Sequence, residues 1–251
     1  MRLLHRLVGS GDLWLAVQTS GDIGDGEPVL LVHGMGGDHS TWRSLAGGLR
    51  RGGRPVISVD LRGHGRSARG ATYHLDDFRD DLRFVLDELG IEQADVVGHS
   101  LGAHSAMRLA MAEPARVRRL VLEEIPPMPR DAADVDEGIV VAASLGERIR
   151  GIGAALTNPG PLVRYDRAVG DQVGPQFEVA APEWWSALDE VTAPTLVISG
   201  GERSFLPAHH LRTLSETLPD GRFTVIDAGH SVHRDRRREF DRVTTEFLSD
   251  D

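Results

Sequence analysis

Ser100 lies in the pentapeptide GHSLG at residues 98–102, which has the spacing of a nucleophilic serine on a tight turn. A β-rich run, Ala94–Val97, leads into this turn, and a segment with helical periodicity, Leu101–Ala112, leads out of it. The two glycines are expected because side chains there would collide with the neighbouring strand and helix. A helix N-terminus also favours negative charge beside the serine oxygen. The pattern therefore predicts that Ser100 is a nucleophile.

A nucleophilic serine needs a general base, and His230 has the most suitable position. The pair Gly229-His230 follows the last β-rich run and so falls on a loop at the carboxyl edge of the predicted sheet. His233 is the alternative base, although we expect it to pack against the start of a helix. A zinc site at His230 and His233 is disfavoured, since no H-E-x-x-H pattern or other ligand cluster accompanies them.

The other histidines near these motifs are assigned no catalytic role. His99 and His104 lie on the turn and its helix, where a base is not expected. His209 and His210 are adjacent, and we expect them to point apart on a helix at the surface.

Attack on a carbonyl group develops an oxyanion, which needs hydrogen-bond donors where the charge appears. The glycine-rich loop His33–Gly37 directly follows the β-rich run Val29–Val32. In a strand–serine–helix arrangement, one backbone N–H comes from the residue after the nucleophile and the other from such a loop. The predicted donors are therefore the N–H groups of Leu101 and Met35.

Short β-rich runs alternate with helix-period segments from about residue 28 onward, which is typical of a parallel sheet with crossover helices. The predicted strands are Val29–Val32, Pro55–Val59, Ala94–Val97, Arg119–Leu122, Thr195–Ser199 and Arg222–Ile226. The predicted helices are Thr41–Arg50, Leu75–Leu89, Leu101–Ala112, Ala208–Thr217 and Asp235–Leu248. Leu3–Ser20, split by Gly9, Ser10 and Gly11, predicts an antiparallel hairpin.

The alternation stops between residues 126 and 190, a stretch too long for a simple connection. It opens with several prolines, and a helical pattern follows from Ile139 to Leu156. We predict a core domain formed by residues 1–125 and 191–251, with an inserted, mostly helical cap at 126–190. Its apolar residues would line a pocket, namely Val140, Val141, Ile149, Leu156 and Trp184.

Composition narrows the function classes. The net charge of −10 argues against a nucleic-acid partner, because phosphate binding depends on clustered cations. No apolar run approaches the roughly 20 residues that span a bilayer, and Met1–Val8 does not have the features of a signal peptide. The absence of cysteine excludes disulfides and cysteine nucleophiles. We expect a cytoplasmic protein without a membrane partner, either monomeric or homodimeric.

Four motifs, His33-Gly34, residues 60–67 (DLRGHGRS), residues 98–102 and Gly229-His230, resemble in order and spacing those of the α/β-hydrolase superfamily. The resemblance covers nearly the whole chain except the predicted cap. It implies an eight-stranded, mostly parallel sheet with helices on both faces, a Ser-His-acid triad and no cofactor. It also implies that Asp60 and the loop Arg62–Ser67 are structural.

The chain departs from the family pattern at the triad acid. The usual aspartate, three residues after Gly201, is replaced here by Ser204. Some members place the acid after the preceding strand, where this chain has Glu123 and Glu124. Adjacent residues in an extended chain point to opposite sides, so one of the two glutamates can face the histidine. By the same resemblance Glu124 is chosen, with Glu202 second and Glu123 third.

These residues predict a serine hydrolase that cleaves an ester, thioester or lactone through an acyl-enzyme, with a small hydrophobic substrate. Carbon–carbon bond hydrolysis and perhydrolysis use the same groups and remain alternatives. A ligand-binding or signalling protein with little turnover is the alternative from another class.

Overall fold

A computed structural model describes residues 1–8, 11–24, 26–138, 153, 156 and 158–250. Eight strands form one sheet within these residues. They are β1 (Arg2–Val8), β2 (Gly11–Ser20), β3 (Val29–Val32), β4 (Val56–Val59), β5 (Ala94–His99), β6 (Val117–Glu123), β7 (Thr195–Ser199) and β8 (Gly221–Val225).

The strands lie in the order β1-β2-β4-β3-β5-β6-β7-β8. The pairs β1–β2 and β2–β4 are antiparallel, and every other neighbouring pair is parallel. The hairpin expected at Leu3–Ser20 is therefore present as β1 and β2. The eight-stranded, mostly parallel sheet implied by the family resemblance is confirmed.

The α-helices lie between and after the strands. They are α1 (Arg43–Arg51), α2 (Leu75–Glu88), α3 (Leu101–Ala112), α4 (Ala132–Glu137), α5 (Gly160–Val163), α6 (Arg167–Val173), α7 (Pro182–Ser186), α8 (Ala208–Thr217), α9 (Val232–Asp235) and α10 (Arg237–Ser249). Of the predicted helices, Leu101–Ala112 and Ala208–Thr217 have the predicted bounds. The predicted helix Asp235–Leu248 begins later, because Arg236 leaves helical geometry (φ −126°, ψ 42°) between α9 and α10.

The central strands are apolar throughout because both faces of the sheet are covered. In β3, Leu30 and Val32 pack into one hydrophobic cluster with helices α2, α3 and α8. Val29 and Leu31 point the other way, into a second cluster with α1 and α10. Successive side chains of a strand alternate between its faces, so the continuous run of four buried residues serves two cores.

The chain between β6 and β7 contributes short helices and turns in its described part, with α4 to α7 falling here. The predicted helix Ile139–Leu156 lies almost entirely outside the described residues, as do Val140, Val141 and Ile149. Throughout the described chain, every helix is too short or too polar to cross a membrane.

The turn between β5 and α3 depends on two close backbone approaches. A Cβ atom on Gly98 would lie 2.6 Å from the backbone N and Cα of Ala103. A Cβ atom on Gly102 would lie 2.4 Å from the carbonyl oxygens of Val32 and His33. Both approaches involve backbone atoms, which cannot rotate away as a side chain can. The collisions expected from the sequence are therefore present on both sides of Ser100.

We predict that Gly98→Ala lowers the free energy of unfolding by about 3 kcal/mol or more, as for severe overpacking in a core. Gly48→Ala is the matched control, because its Cβ atom would meet nothing closer than a guanidinium nitrogen of Arg51 at 4.0 Å. That change removes a flexible residue from helix α1 and should stabilise by roughly 0.5–1 kcal/mol. Urea denaturation measures both variants, and equal stabilities would contradict the close approach at Gly98.

Candidate active site

The parallel register brings the ends of three strands together. His99 of β5 pairs with Glu123 of β6, and Glu123 pairs with Ile198 of β7. The next residues along these strands, Ser100 and Glu124, therefore emerge side by side at the carboxyl edge of the sheet. The backbone register of the sheet alone therefore sets the positions of both residues.

Ser100 has φ 51° and ψ −118°, a backbone conformation that is strained for any residue other than glycine. Its N–H donates a hydrogen bond to the Glu123 carbonyl oxygen at 2.9 Å, and helix α3 begins at Leu101. The side chain is partly exposed and lines a cavity of about 800 Å³. The turn thus presents the Ser100 hydroxyl to a cavity at the N-terminus of a helix.

Glu124 also has φ 51° and is completely buried. Its Oε2 accepts a hydrogen bond from His230 Nδ1 at 3.0 Å, and its Oε1 accepts one from the Gly200 N–H at 2.5 Å. His230 lines the same cavity as Ser100, and its ring packs at 4.0 Å from the ring of Phe205. The structure therefore places Ser100 and His230 on one cavity wall, with the buried Glu124 in contact with His230.

Ser204 occupies the position where the family pattern has its usual aspartate, and its hydroxyl donates a hydrogen bond to Glu124 Oε2. The Glu124 carboxylate, which follows β6, thus reaches the loop after β7. There it accepts hydrogen bonds from the Ser204 hydroxyl and the Gly200 N–H. The sequence showed only that Ser204 is not an acid. Its role as a donor to Glu124 required the tertiary contact. Glu202 is exposed, in the turn Gly201–Arg203.

A second carboxylate–histidine pair lies beneath the first. Glu123 accepts hydrogen bonds from His233 Nδ1 at 2.7 Å and from the His233 N–H at 2.9 Å. His233 Nε2 shares a hydrogen bond with the Thr41 hydroxyl at 2.6 Å, and both Glu123 and His233 are buried. Burial alone would raise the pKa of Glu123, but its contacts with His233 hold that pKa below its usual value. The two adjacent glutamates therefore serve two different histidines.

His99 connects the two pairs. Its Nε2–H donates to the His230 carbonyl oxygen at 2.7 Å, and its ring lies 4.9 Å from that of His233. Burial lowers the pKa of His99 to about 3, so the ring is neutral at ordinary pH. Sequence reasoning assigned His99 no role, and the structure shows that it holds the backbone of the His230 loop.

The loop after β3 approaches the Ser100 turn closely. A Cβ atom on Gly34 would lie 2.5 Å from His99 Nδ1 and 3.1 Å from Ser100 Cβ. His33 fixes this loop, because its Nδ1–H donates to the Gly34 carbonyl oxygen at 2.8 Å while its Nε2 accepts from the Leu61 N–H at 3.0 Å. Met35 lines the cavity beside Ser100. The two predicted N–H donors, those of Met35 and Leu101, thus belong to segments that meet at the serine.

No residue of the loop Arg62–Ser67 lines the cavity, and the loop is bonded to buried carboxylates. Asp60 accepts hydrogen bonds from the His39 and Arg66 N–H groups at 2.7 and 2.9 Å. Arg62 forms a bidentate ion pair with Asp81, with N–O distances of 2.6 and 2.7 Å. These contacts connect the loop to the neighbouring elements.

The described cavity wall is largely apolar. Its apolar and aromatic residues include Pro126, Pro129, Val135, Tyr165, Phe177, Phe205 and Leu206. Two carboxylates, Asp134 and Glu178, also line it. Asp134 is neutralised by Arg130, whose guanidinium lies 2.7 Å away, whereas Glu178 is exposed.

Two of the pocket residues expected from the sequence lie elsewhere. The side chain of Leu156 is exposed, so it contributes no wall to this cavity. Trp184 is buried, but it stacks on His104 with ring centroids 5.5 Å apart and lines a separate groove. That groove borders α2 and α3, and Trp184 is not among the residues that line the cavity beside Ser100.

The expectation that His209 and His210 point apart is also wrong. Their ring centroids lie 4.1 Å apart, and both rings face Glu137. His209 is exposed as expected, but His210 is buried. The reason is their position in the first turn of α8, directly against the end of α4, where Glu137 attracts both.

Comparison with known proteins gives consistent matches. The family described as alpha/beta hydrolase fold matches residues 27–151. A 2-hydroxymuconate semialdehyde hydrolase of Pseudomonas putida is 31% identical over 261 residues, covering 91% of this chain and 89% of that protein. The sn-1-specific diacylglycerol lipase ABHD11 of Mus musculus is 27% identical over 252 residues, covering 88% of this chain and 80% of the lipase.

Among solved structures, the enol-lactonase from Burkholderia xenovorans LB400 superposes with a TM-score of 0.78 at 21% identity. The match covers 95% of this chain and 97% of the lactonase, and at this identity it shows the fold. With the eight-stranded sheet, the serine turn and relatives matched over most of their length, the chain belongs to the α/β-hydrolase superfamily.

Proposed function

We propose that this hydrolase cleaves a carboxylic ester or a related acyl bond, such as a thioester or lactone, through an acyl-enzyme on Ser100. One observation carries the proposal. Ser100 and His230 line a single cavity, while the fully buried Glu124 accepts a hydrogen bond from the far side of the imidazole. This is the order of groups in a nucleophile, base and orienting acid.

In the proposed reaction, His230 Nε2 removes the hydroxyl proton as Ser100 Oγ attacks the carbonyl carbon. The Met35 and Leu101 N–H groups stabilise the oxyanion of the tetrahedral intermediate. The carbon–oxygen bond to the leaving group breaks, and the alcohol takes the proton from His230. Water then attacks the acyl-enzyme with His230 again as base, which releases the acid and restores the Ser100 hydroxyl.

Glu124 supports this cycle through its charge and its fixed position. Its hydrogen bond to Nδ1 leaves Nε2 of His230 free of a proton before attack, and its negative charge stabilises the imidazolium afterward. The hydrogen bonds from Gly200 and Ser204 fix the orientation of the buried carboxylate.

Residues 126–190 are proposed to act as a cap over Ser100, with residues 1–125 and 191–251 as the core. The support is the cavity wall, to which this segment contributes Pro126, Val135, Tyr165 and Phe177. These side chains would hold the acyl or alcohol group of a hydrophobic substrate.

The charge of the described cavity wall favours a neutral substrate. No arginine is among its described residues, and Glu178 adds an exposed carboxylate. The compound named in the Pseudomonas putida relative is a carboxylate, which this wall would repel. Carbon–carbon bond hydrolysis of such an acid is therefore the second candidate, favoured only by the similarity to that relative.

Ser100→Ala should lower ester turnover by roughly 10⁴-fold or more, because it removes the nucleophile. It should also abolish labelling by a fluorophosphonate probe, with the label on the wild-type chain mapped to Ser100 by mass spectrometry. Ser231→Ala, which changes another serine of the same cavity, is the control and should keep the label. Persistent labelling of Ser100→Ala would refute the assignment. Absence of both labelling and turnover in the wild type would favour a ligand-binding protein.

Glu124→Gln should reduce kcat on an activated ester by about 10⁴-fold, the size of the effect for the equivalent change in a serine protease. Glu202→Gln should cost far less, because an exposed carboxylate contributes only a screened field.

The second histidine pair gives the matching controls for Glu124. Glu123→Gln and His233→Ala should mainly lower thermal stability, since each leaves a buried partner behind, whereas His230→Ala should mainly lower kcat. Kinetics and thermal denaturation of all five variants separate these effects. If Glu202→Gln were instead the variant with the large loss of kcat, the triad acid would lie after β7.

Substrate charge is tested with two esters of equal length, 4-nitrophenyl butyrate and 4-nitrophenyl hemisuccinate. The hemisuccinate carries a carboxylate, so its kcat/KM should be lower by roughly 100-fold, a typical penalty for placing like charges together. Glu178→Gln should reduce the difference in kcat/KM between the two esters. Glu183→Gln should not, because Glu183 is an exposed residue outside the cavity wall. A preference for the hemisuccinate would instead support acidic substrates.

A further inference from the structure

Glu137, His209 and His210 form a compact cluster at the junction of α4 and α8. Glu137 Oε1 lies 3.0 Å from His209 Nε2 and 3.6 Å from His210 Nε2. The three potential ligand atoms all lie within 4.8 Å of one another. Glu137 and His209 are about half exposed, so the cluster is open to solvent on one side.

His210 gives an independent indication of a ligand. Its side chain is only 4% exposed, and its buried Nε2 has no hydrogen-bond partner among the described residues. A buried polar atom without a partner is uncommon and costs free energy. Because it has no hydrogen bond within the described part of the chain, Nε2 is available for a bond that the protein itself does not supply.

A second cluster with similar composition does not share this property. His99, Glu123 and His233 are also close together, but all three are buried. His99 Nε2 donates to the His230 carbonyl oxygen, and Glu123 holds the His233 N–H and Nδ1–H. A cation there would have to break the hydrogen bonds that support the loop of His230, so we assign that cluster a positioning role.

We propose that Glu137, His209 and His210 form a binding site for a divalent transition-metal ion of the Zn²⁺ class. Two imidazole nitrogens and one carboxylate oxygen are a ligand set that zinc uses, with water in the fourth position. Bonds of about 2.0–2.2 Å in tetrahedral geometry place ligand atoms about 3.3–3.6 Å apart, close to the two distances from Glu137. The exposed side of the cluster provides the route of entry and the water position.

Such an ion would fasten the segment 126–190 to the core beside the cavity. Helix α4 carries Glu137 and also lines the cavity through Asp134 and Val135, whereas α8 packs on the sheet. Metal binding would thus restrain the cavity wall nearest Glu137. Binding itself does not depend on the proposed ester hydrolysis, and Ser100→Ala should bind the ion as tightly as the wild type.

The test uses the full chain, freed of metal with a chelator and titrated with Co²⁺, whose visible absorption intensifies when coordination falls from six to four or five. One equivalent should bind per chain. Glu137→Gln and His209→Ala should each weaken binding by about tenfold or more, the lower limit for disturbing even the groups around metal ligands. A saturating excess of Zn²⁺ should raise Tm by about 5 °C in the wild type and much less in these variants.

Asp136→Asn is the matched control, because it removes an exposed carboxylate from the same helix and should leave Co²⁺ affinity within about twofold of the wild type. Circular dichroism checks that every variant is folded. Absence of the intensified Co²⁺ spectrum, or binding that Glu137→Gln and His209→Ala leave unchanged, would overturn the proposal.

Discussion

The buried carboxylate of Glu124 is the interaction on which the arrangement at the sheet edge depends. A charge that is fully removed from water must be paired and hydrogen-bonded, or it becomes protonated. Glu124 meets this requirement by contacts with the Gly200 N–H, the Ser204 hydroxyl and His230 Nδ1. These partners come from the loops after β7 and β8, so the side chain that follows β6 connects the ends of three strands.

Backbone strain accompanies this constraint. Ser100 and Glu124 both have φ 51°, and they follow the paired residues His99 and Glu123 on neighbouring strands. Strained conformations persist only when surrounding contacts fix them. Here the Ser100 N–H bonds to β6, and the Glu124 N–H bonds to the Ile198 carbonyl oxygen of β7. The register of the parallel strands therefore holds both residues in strained conformations, which an unfolded chain would rarely adopt.

The two carboxylate–histidine pairs contact the same loop, the one after β8. His230 lines the cavity and is bonded to the buried Glu124, while Glu123 and His233 are both buried. His99 bonds to the His230 carbonyl oxygen and lies against His233. The loop after β8 is thus fixed at His230 and at His233, which restricts the freedom of the His230 imidazole.

The sequence by itself determined the alternating strands and helices, the serine turn and the loop of His230, because these depend on local periodicity and glycine spacing. It reduced the acid to three glutamates, with Glu124 preferred by resemblance alone. Only the tertiary structure decided that Glu124 contacts His230, that Ser204 supports it, that Trp184 faces another groove and that His209 and His210 converge on Glu137. Each of these contacts joins residues far apart in the chain, so it depends on strand register and helix packing, which no local pattern of residues encodes.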